Sequence, residues 1–339
     1  MPPRHEPPLL LHTSPFLKRQ ISTPQLMRDV LLALAPVMLA AIWFFGIAAL
    51  LVVAAAVAGS VVTEWGLGPQ RPRSAALKDG SAILTGVLLG LVLPPGIPLW
   101  MAFVGGVAGV GLGKLIWGGL GQNLFNPALV GRAFLQAAFP TTLTTWTAPE
   151  GPSKILGIRG ASLAAPFLQS DVDVVSTATP LSLMKFQGEI TDWTRLLIGN
   201  TAGSLGETSA GLIILAGIWL AARRTFDWRI PVSILGSVAV LSTVLFVIAP
   251  DTYPGPWFML LSGGLLFGAI YMATDPVTSP ISARSTWIFG AGIGTLVVLI
   301  RLFGGLPEGV MYAILLMNAA APLLERSLQP RAFGREGRA

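Results

Sequence analysis

Apolar runs long enough to cross a lipid bilayer recur along almost the whole chain. A membrane-spanning helix needs about 20 predominantly apolar residues, because the hydrocarbon core of a bilayer is roughly 30 Å thick. Of the 339 residues, 53% are hydrophobic and only 11% are charged, whereas roughly a quarter of the residues in soluble domains are charged. Since backbone polar groups inside a bilayer must be hydrogen-bonded within the protein, and apolar runs of this length match spanning helices, helices are expected here. The sequence therefore predicts an all-α polytopic membrane protein.

Ten apolar segments are predicted to be transmembrane helices. Five of them form a first membrane half, 27–140, and five form a second half, 207–325. One long polar connection, 141–206, separates the halves, and a polar tail lies at each end, 1–26 and 326–339. The ten predicted helices are 27–45, 47–64, 79–95, 98–117, 124–140, 207–223, 230–249, 257–273, 285–303 and 308–325.

Lysine and arginine residues are distributed unevenly between the two sides of these predicted helices. The short turns at 94–98 and 251–256 hold none, and on that side only Arg301 lies near a helix end. Basic residues collect on the cytoplasmic side of membrane proteins, which predicts cytoplasmic termini and places 141–206 outside. The basic residues on the predicted cytoplasmic side are Lys18, Arg19, Arg28, Arg71, Arg73, Lys78, Lys114, Arg223, Arg224, Arg229, Arg284, Arg326, Arg331, Arg335 and Arg338.

Composition excludes several kinds of site and partner. A net charge of +6 and a pI of 10.2 would suit nucleic-acid binding, but the basic residues form no stripe with interleaved aromatic side chains, so no such partner is expected. The absence of cysteine excludes disulfides and cysteine-ligated iron–sulfur clusters. The two histidines, His5 and His12, lie in the N-terminal tail, so no metal site is expected. The chain also lacks the sequence fingerprint of a nicotinamide site.

The outer connection contains the segment 173–179, with the sequence DVVSTAT. Its spacing D-x-x-S-x-A-T resembles the acceptor sequence on which a flavin transferase attaches FMN, through the phosphate, to the last threonine. This motif predicts covalent FMN on Thr179, with Asp173 and Ser176 as the other fixed positions. The alternative is an ordinary turn, because serine and threonine bond readily to their own backbone. A covalent tether suits an outside location, where a freely bound flavin would be lost by dilution.

The two predicted halves have related patterns. Gly86-x-x-x-Gly90 is followed by Pro94-Pro95, and Gly264-x-x-x-Gly268 is followed by Asp275-Pro276. Because each half has an odd number of helices, a repeat would give the halves opposite orientations, as in many transporters. The alternative is that these glycines serve general helix packing.

Several segments, in this order along the chain, resemble the D subunits of Rnf electron-transport complexes and their relatives, the B subunits of sodium-pumping NADH:quinone oxidoreductases. The similarity covers about residues 14–331, and the short N-terminal tail favours the D subunits. In one departure, Thr177 occupies a position that is commonly glycine in the family. The segments that carry the resemblance are 123–134 (NLFNPALVGRAF), 173–179, 203–209 (GSLGETS), 273–278 (ATDPVT) and 301–322.

This resemblance implies a fold like that of urea transporters, with ten helices in an inverted repeat and broken helices near the centre. It also implies a bacterial inner-membrane component of a redox-driven ion translocase. Such a complex couples electron flow between ferredoxin and NAD to sodium or proton transport, and this component passes single electrons through flavin. The A, B, C, E and G subunits, the flavin transferase and membrane lipid are the implied partners. A second, non-covalent flavin, riboflavin, remains open. The alternatives are the quinone-reductase B subunit, a urea-transporter-like channel and a purely structural scaffold.

Five further residues are candidates for the flavin site or the ion path. Arg132 lies inside an apolar run and needs a partner, either the flavin phosphate or a carboxylate. Lys185 is placed to neutralise the phosphate, or else is solvated. Asp275, beside Thr274, offers oxygens to a cation or accepts a hydrogen bond from flavin, unless it only caps a helix. Glu207 is an ion-path candidate, with a favourable charge at a helix N-terminus as its alternative.

Overall fold

The computed structural model describes residues 22–68, 78–151, 162–166 and 176–328. All regular secondary structure within these ranges is helical, and no strand occurs in them. The predicted motif residue Asp173 lies outside the described residues, as do most of the two terminal tails with His5 and His12. The all-helical prediction is confirmed for the described part of the chain.

A helix lies at each of the ten predicted positions, usually with ends shifted by only a few residues. Among the described helices, four are long and apolar enough to cross a membrane: Thr23–Phe45, Ile47–Leu67, Arg229–Ile248 and Ala283–Phe303. Others are apolar but shorter, so the count of ten crossings stays a prediction. In chain order the helices are α1 Thr23–Phe45, α2 Ile47–Leu67, α3 Ser81–Leu91, α4 Leu99–Val110, α5 Pro127–Ala138, α6 Pro140–Thr144, α7 Pro180–Gln187, α8 Trp193–Ile198, α9 Ala210–Ala222, α10 Arg229–Ile248, α11 Pro256–Leu261, α12 Leu265–Phe267, α13 Ala283–Phe303 and α14 Val310–Ser327.

The halves pack in the same manner. In the first half α2 lies along α3 and α4, and in the second half α10 lies along α13. Glycines make both approaches possible: a Cβ on Gly106 would lie 2.8 Å from the Ser60 nitrogen, and one on Gly290 would lie 2.6 Å from the Ser233 Cβ. The second and fourth helices of each half therefore meet at backbone distance, an arrangement that a five-helix repeat would produce.

The predicted continuous helix 257–273 is wrong in one respect, because it is broken at Ser262, Gly263 and Gly264 into α11 and α12. Gly263 has a φ of +63°, a conformation that other residues rarely adopt. A Cβ on Gly264 would lie 2.6 Å from the Glu207 Oε1 atom. After the short α12, the segment Gly268–Met272 forms a π-helical turn, and another π turn, Gly111–Leu115, ends α4. Such turns are frequent at functional sites.

Two asparagines join the halves at the centre of the protein. The Asn126 side chain caps α5 by accepting from the Ala128 and Leu129 nitrogens at 3.0 and 3.3 Å. Its Nδ2 donates to the Met272 carbonyl at 3.2 Å, and its backbone nitrogen donates to Asn318 Oδ1 at 3.3 Å. The break before Pro127 is thus satisfied by side chains from both halves, as is required away from water.

The predicted outer connection, 141–206, is anchored on the helix ends. Its described part includes α7 and α8, which sequence reasoning did not predict. Leu181 and Leu196 of these helices form a small apolar cluster with Phe258 of α11. Further along, the Leu205 and Gly206 nitrogens donate to carbonyls at the end of α3, at 3.2 and 2.6 Å. This packing places Thr179 next to the membrane helices.

Candidate functional site

Thr179 is the N-cap residue of α7. Its Oγ1 accepts a hydrogen bond from the Ser182 nitrogen at 3.2 Å and lies 3.0 Å from the Ser182 Oγ, the usual geometry of a threonine cap. Two residues earlier, the Thr177 hydroxyl donates to the Trp146 carbonyl at 3.2 Å, and Ser176 is exposed. Thr179 also lines a cleft.

That cleft, of about 530 Å³, is also lined by Gly203, Glu207, Gly263 and Glu308. A second cleft of about 690 Å³ adjoins it and is lined by Arg132 and Gln136, among other residues. Trp146, Glu207, Pro307 and Glu308 are common to the two clefts. Because Thr179 belongs to the predicted outer connection, we refer to the pair as the outer cleft. The fold therefore brings together three residues that were predicted separately from the sequence: Thr179, Glu207 and Arg132.

Two arginines and two glutamates form a charge-balanced cluster in the wall of the outer cleft. Arg132 lies 3.7 Å from Glu207 and 3.9 Å from Glu308, and Arg301 lies 3.9 Å from Glu308. These separations exceed hydrogen-bonding distance, so the Arg132 guanidinium keeps donors for another acceptor. The buried Glu207 Oε1 has no hydrogen-bond partner among the residues that the structure describes. This carboxylate oxygen can therefore accept a hydrogen bond from a bound group or water in the cleft.

Arg301 and Glu308 hold the two sides of the helix break. The guanidinium of Arg301 is fully buried and donates to the Met259 and Ser262 carbonyls at 2.6 and 2.9 Å. Glu308 accepts from the Gly264 nitrogen at 2.5 Å. A helix end leaves carbonyls and amides without intrahelical partners, and these two charged side chains supply partners on both sides of the break.

Lys185 lies at the opposite end of α7 from Thr179, about 9 Å along the helix axis. Its Nζ donates to the carbonyls of Arg301, Gly304 and Leu306 at 3.0, 2.5 and 2.9 Å, with Ile300 at 3.4 Å. Burial lowers the pKa of this ammonium group from its usual value. The described geometry thus directs Lys185 to the end of α13.

Asp275 and Thr274 lie in a separate cleft of about 730 Å³, which we call the inner cleft because Lys114, predicted on the cytoplasmic side, also lines it. The Asp275 Oδ1 accepts from the Val277 nitrogen at 3.2 Å, and the Thr274 hydroxyl donates to the Ile270 carbonyl at 2.5 Å. The π turn Gly268–Met272 lies between the clefts, because Tyr271 lines the inner one whereas Met272 lines the outer one. The two predicted ion-path carboxylates therefore lie on opposite sides of this turn.

Sequence reasoning missed the chemistry of Lys114, which it counted only as a charge on the predicted cytoplasmic side. The Lys114 ammonium is buried in the π turn after α4, where it donates to Glu64 at 2.5 Å and Ser81 at 2.6 Å. Asp79 accepts from the Ser81 hydroxyl at 2.7 Å. Lys114 also lines the inner cleft. The signal that could have identified it is its position within an apolar run, where an unpaired charge is costly.

Interrupted helices, buried ion pairs and two clefts divided by a π turn define a polytopic membrane protein with ionisable groups in its interior, as expected of transporters and membrane redox pumps. The comparison with protein families is more specific. The chain belongs to the NQR2, RnfD, RnfE family, whose model matches residues 10–334.

Individual relatives are similar over nearly their whole length. The chain is 39% identical to the D subunit of the proton-translocating ferredoxin:NAD(+) oxidoreductase complex of Clostridium ljungdahlii, covering 96% of each chain. It is 43% identical to the D subunit of the ion-translocating oxidoreductase complex of Stutzerimonas stutzeri, covering 94% of each chain. A third relative, of the same description, from Halorhodospira halophila is 37% identical over 96% of this chain and 95% of its own.

Proposed function

We propose that this chain is the flavin-carrying membrane subunit of an ion-translocating ferredoxin:NAD oxidoreductase complex, with FMN attached covalently to Thr179. The observation that carries the proposal is the position of Thr179, whose side chain lines the same cleft as the Glu207 and Glu308 carboxylates. Relatives named as D subunits match the chain over nearly its whole length, which favours this role over the quinone-reductase B subunit and a solute channel.

The residues around the outer cleft fit a tethered flavin. The Thr179 hydroxyl would form the phosphoester. Arg132 makes only loose ion pairs, so its remaining N–H donors are available to an anionic group. The flavin supplies the electron-transfer chemistry, since no amino-acid side chain here is a redox centre. The protein binds and orients it, and the charged cluster sets the local potential.

Ion movement is assigned to the two clefts. Glu207 faces the outer cleft and Asp275 the inner one, so a sodium ion or proton would meet a carboxylate on either side of the π turn Gly268–Met272. The other subunits of the complex supply the sites for ferredoxin and NAD, and lipid covers the exposed apolar faces of the helices. We place both termini in the cytoplasm and the chain in the bacterial inner membrane.

We assign a second, non-covalent flavin such as riboflavin to the inner cleft. The wall of the inner cleft is largely apolar, and its polar residues include Ser81, Thr85, Lys114, Asn123, Asn126, Thr225, Thr274 and Asp275. The buried Asn123 Oδ1 lacks a hydrogen-bond partner within the described ranges. A mostly apolar cleft with a few polar groups is the usual form of a cofactor site.

The deciding experiment is mass spectrometry of the intact, denatured chain isolated from the assembled complex. The parent chain should carry the mass of FMN, and Thr179→Ala should not, because the acceptor oxygen is gone. Thr177→Ala is the matched control and should keep the adduct. Persistence of the adduct in Thr179→Ala would refute the assignment, and loss in Thr177→Ala alone would move the attachment to Thr177.

A further inference from the structure

Helix α7, which begins directly after Thr179, is too short to hold its own orientation. It has eight residues, whereas isolated helices shorter than about 12 residues are marginal even in favourable sequences. Its position must therefore come from contacts with the rest of the protein. On one side these are apolar, since Leu181 packs with Leu196 and Phe258. At its C-terminal end the contact is Lys185.

Lys185 of α7 caps the C-terminal end of another helix, α13. The last carbonyls of a helix have no intrahelical donors, and positive charge is favourable at that end. The Lys185 ammonium donates to carbonyls at the end of α13 and just beyond it, at 2.5–3.4 Å, across more than a hundred residues of sequence. One side chain thus fixes α7 to a membrane-embedded helix.

The same turn of α13 also holds the helix break. Arg301, whose carbonyl accepts from Lys185, directs its guanidinium to the Met259 and Ser262 carbonyls. At the other end of α7, Leu181 occupies the space beside Gly263, because a Cβ there would lie 2.6 Å from the Leu181 Cδ1. Both ends of α7 are therefore tied to the wall of the outer cleft.

We propose that Lys185 is a positioning residue. By capping α13 it fixes the position of helix α7. The group attached to Thr179, at the start of α7, is thereby oriented above the Gly263–Gly264 break. The part of this inference that concerns the tethered group rests on the proposed function. The anchoring of α7 does not, and it can be measured whether or not Thr179 is modified.

This role differs from neutralising a phosphate on Thr179. The ammonium group lies about 9 Å along the axis from Thr179, and its donors are directed at backbone carbonyls. Neutralisation would require positive charge alone. Capping requires donors that reach the end of α13, a property that arginine shares and that methionine lacks.

The test uses the whole membrane complex with Lys185→Met, Lys185→Arg and Lys185→Gln. Arg195→Met is the matched control, since Arg195 is an exposed cation on the neighbouring α8. Hydrogen exchange of the α7 amides reports anchoring. Anisotropy of the flavin fluorescence in the oxidised complex reports orientation, and the intact mass reports the adduct on Thr179.

In Lys185→Met, the α7 amides should exchange roughly ten- to hundredfold faster, because the charge-assisted hydrogen bonds of Lys185 are lost. Its flavin should lose anisotropy while the FMN adduct is retained. Lys185→Arg should restore both readouts, Lys185→Gln should fall between, and Arg195→Met should match the parent. Unchanged exchange in Lys185→Met, or no restoration by Lys185→Arg, overturns the inference. A parent chain without adduct refutes the proposed function instead, and leaves the exchange measurement decisive for anchoring.

Discussion

Glu308 gives the sharpest test of how the broken helix is held. At 3.9 Å from Arg301, two unit charges attract by about 4 kcal/mol at an effective dielectric near 20. Glu308 also accepts the Gly264 amide. Glu308→Ala leaves the buried Arg301 without its carboxylate, and breaking a buried pair in this way typically costs about 3–5 kcal/mol. Glu308→Gln keeps an oxygen for the Gly264 amide and should lose less than Glu308→Ala.

Thermal unfolding of the purified complex in detergent provides the measurement. With an unfolding entropy of about 2.1 cal/mol/K per residue, a loss of this size lowers the midpoint of this chain by about 4–7 °C. The matched control is Glu325→Ala at the far end of α14. Glu325 also accepts from backbone amides, those of Ile281 and Ser282, but has no buried arginine beside it, so its loss should be smaller. An unchanged midpoint in Glu308→Ala, or a larger drop in the control, would refute the proposed support of the break.

Three further predictions concern topology, coupling and stability. A cysteine at Gly151 in this cysteine-free chain should react with a membrane-impermeant thiol reagent in cells whose outer membrane is permeabilised. A cysteine at Gly337 should not react. The reverse pattern would overturn the orientation. Asp275→Asn and Glu207→Gln should each slow ferredoxin-to-NAD turnover and ion uptake in vesicles. Both should keep the FMN adduct, because neither residue belongs to the acceptor motif. Parent rates in both variants would show that these residues only cap helices. Lys114→Met removes the cationic partner of the buried Glu64 carboxylate. It should lower the unfolding midpoint by an amount comparable to that for Glu308→Ala. An unchanged midpoint would contradict this prediction.

The positions of the helices could be predicted because they depend on local composition. Apolar runs identify α1, α2, α10 and α13 directly, and their ends lie within a few residues of the expected ones. The break at 262–264 could not be placed in the same way. Its Ser-Gly-Gly sequence also suits close helix packing, and only the approach of Glu207 and Glu308 shows why the chain must open there.

The candidate site was predictable in its parts but not in its arrangement. The acceptor motif singled out Thr179, and polar residues in apolar surroundings singled out Arg132 and Glu207. Nothing local indicated that these three line adjoining clefts, since they come from three distant segments. Glu308 was missed altogether because, as the first residue of the predicted helix 308–325, it looks like an ordinary acidic residue at a helix N-terminus.

The distribution of basic residues has two physical origins in this chain, and only one concerns topology. Arg301 was the exception on the predicted outer side, and the structure buries it completely against the carbonyls of a broken helix. Lys114 agreed with the rule, yet it too is buried and paired. The positive-inside rule counts charges in loops close to the helix ends, whereas these two charges are paired inside the protein. When Arg301 and Lys114 are left out of the count of basic residues on each side, the remaining ones favour the proposed orientation more uniformly. The two buried residues point instead to a functional interior.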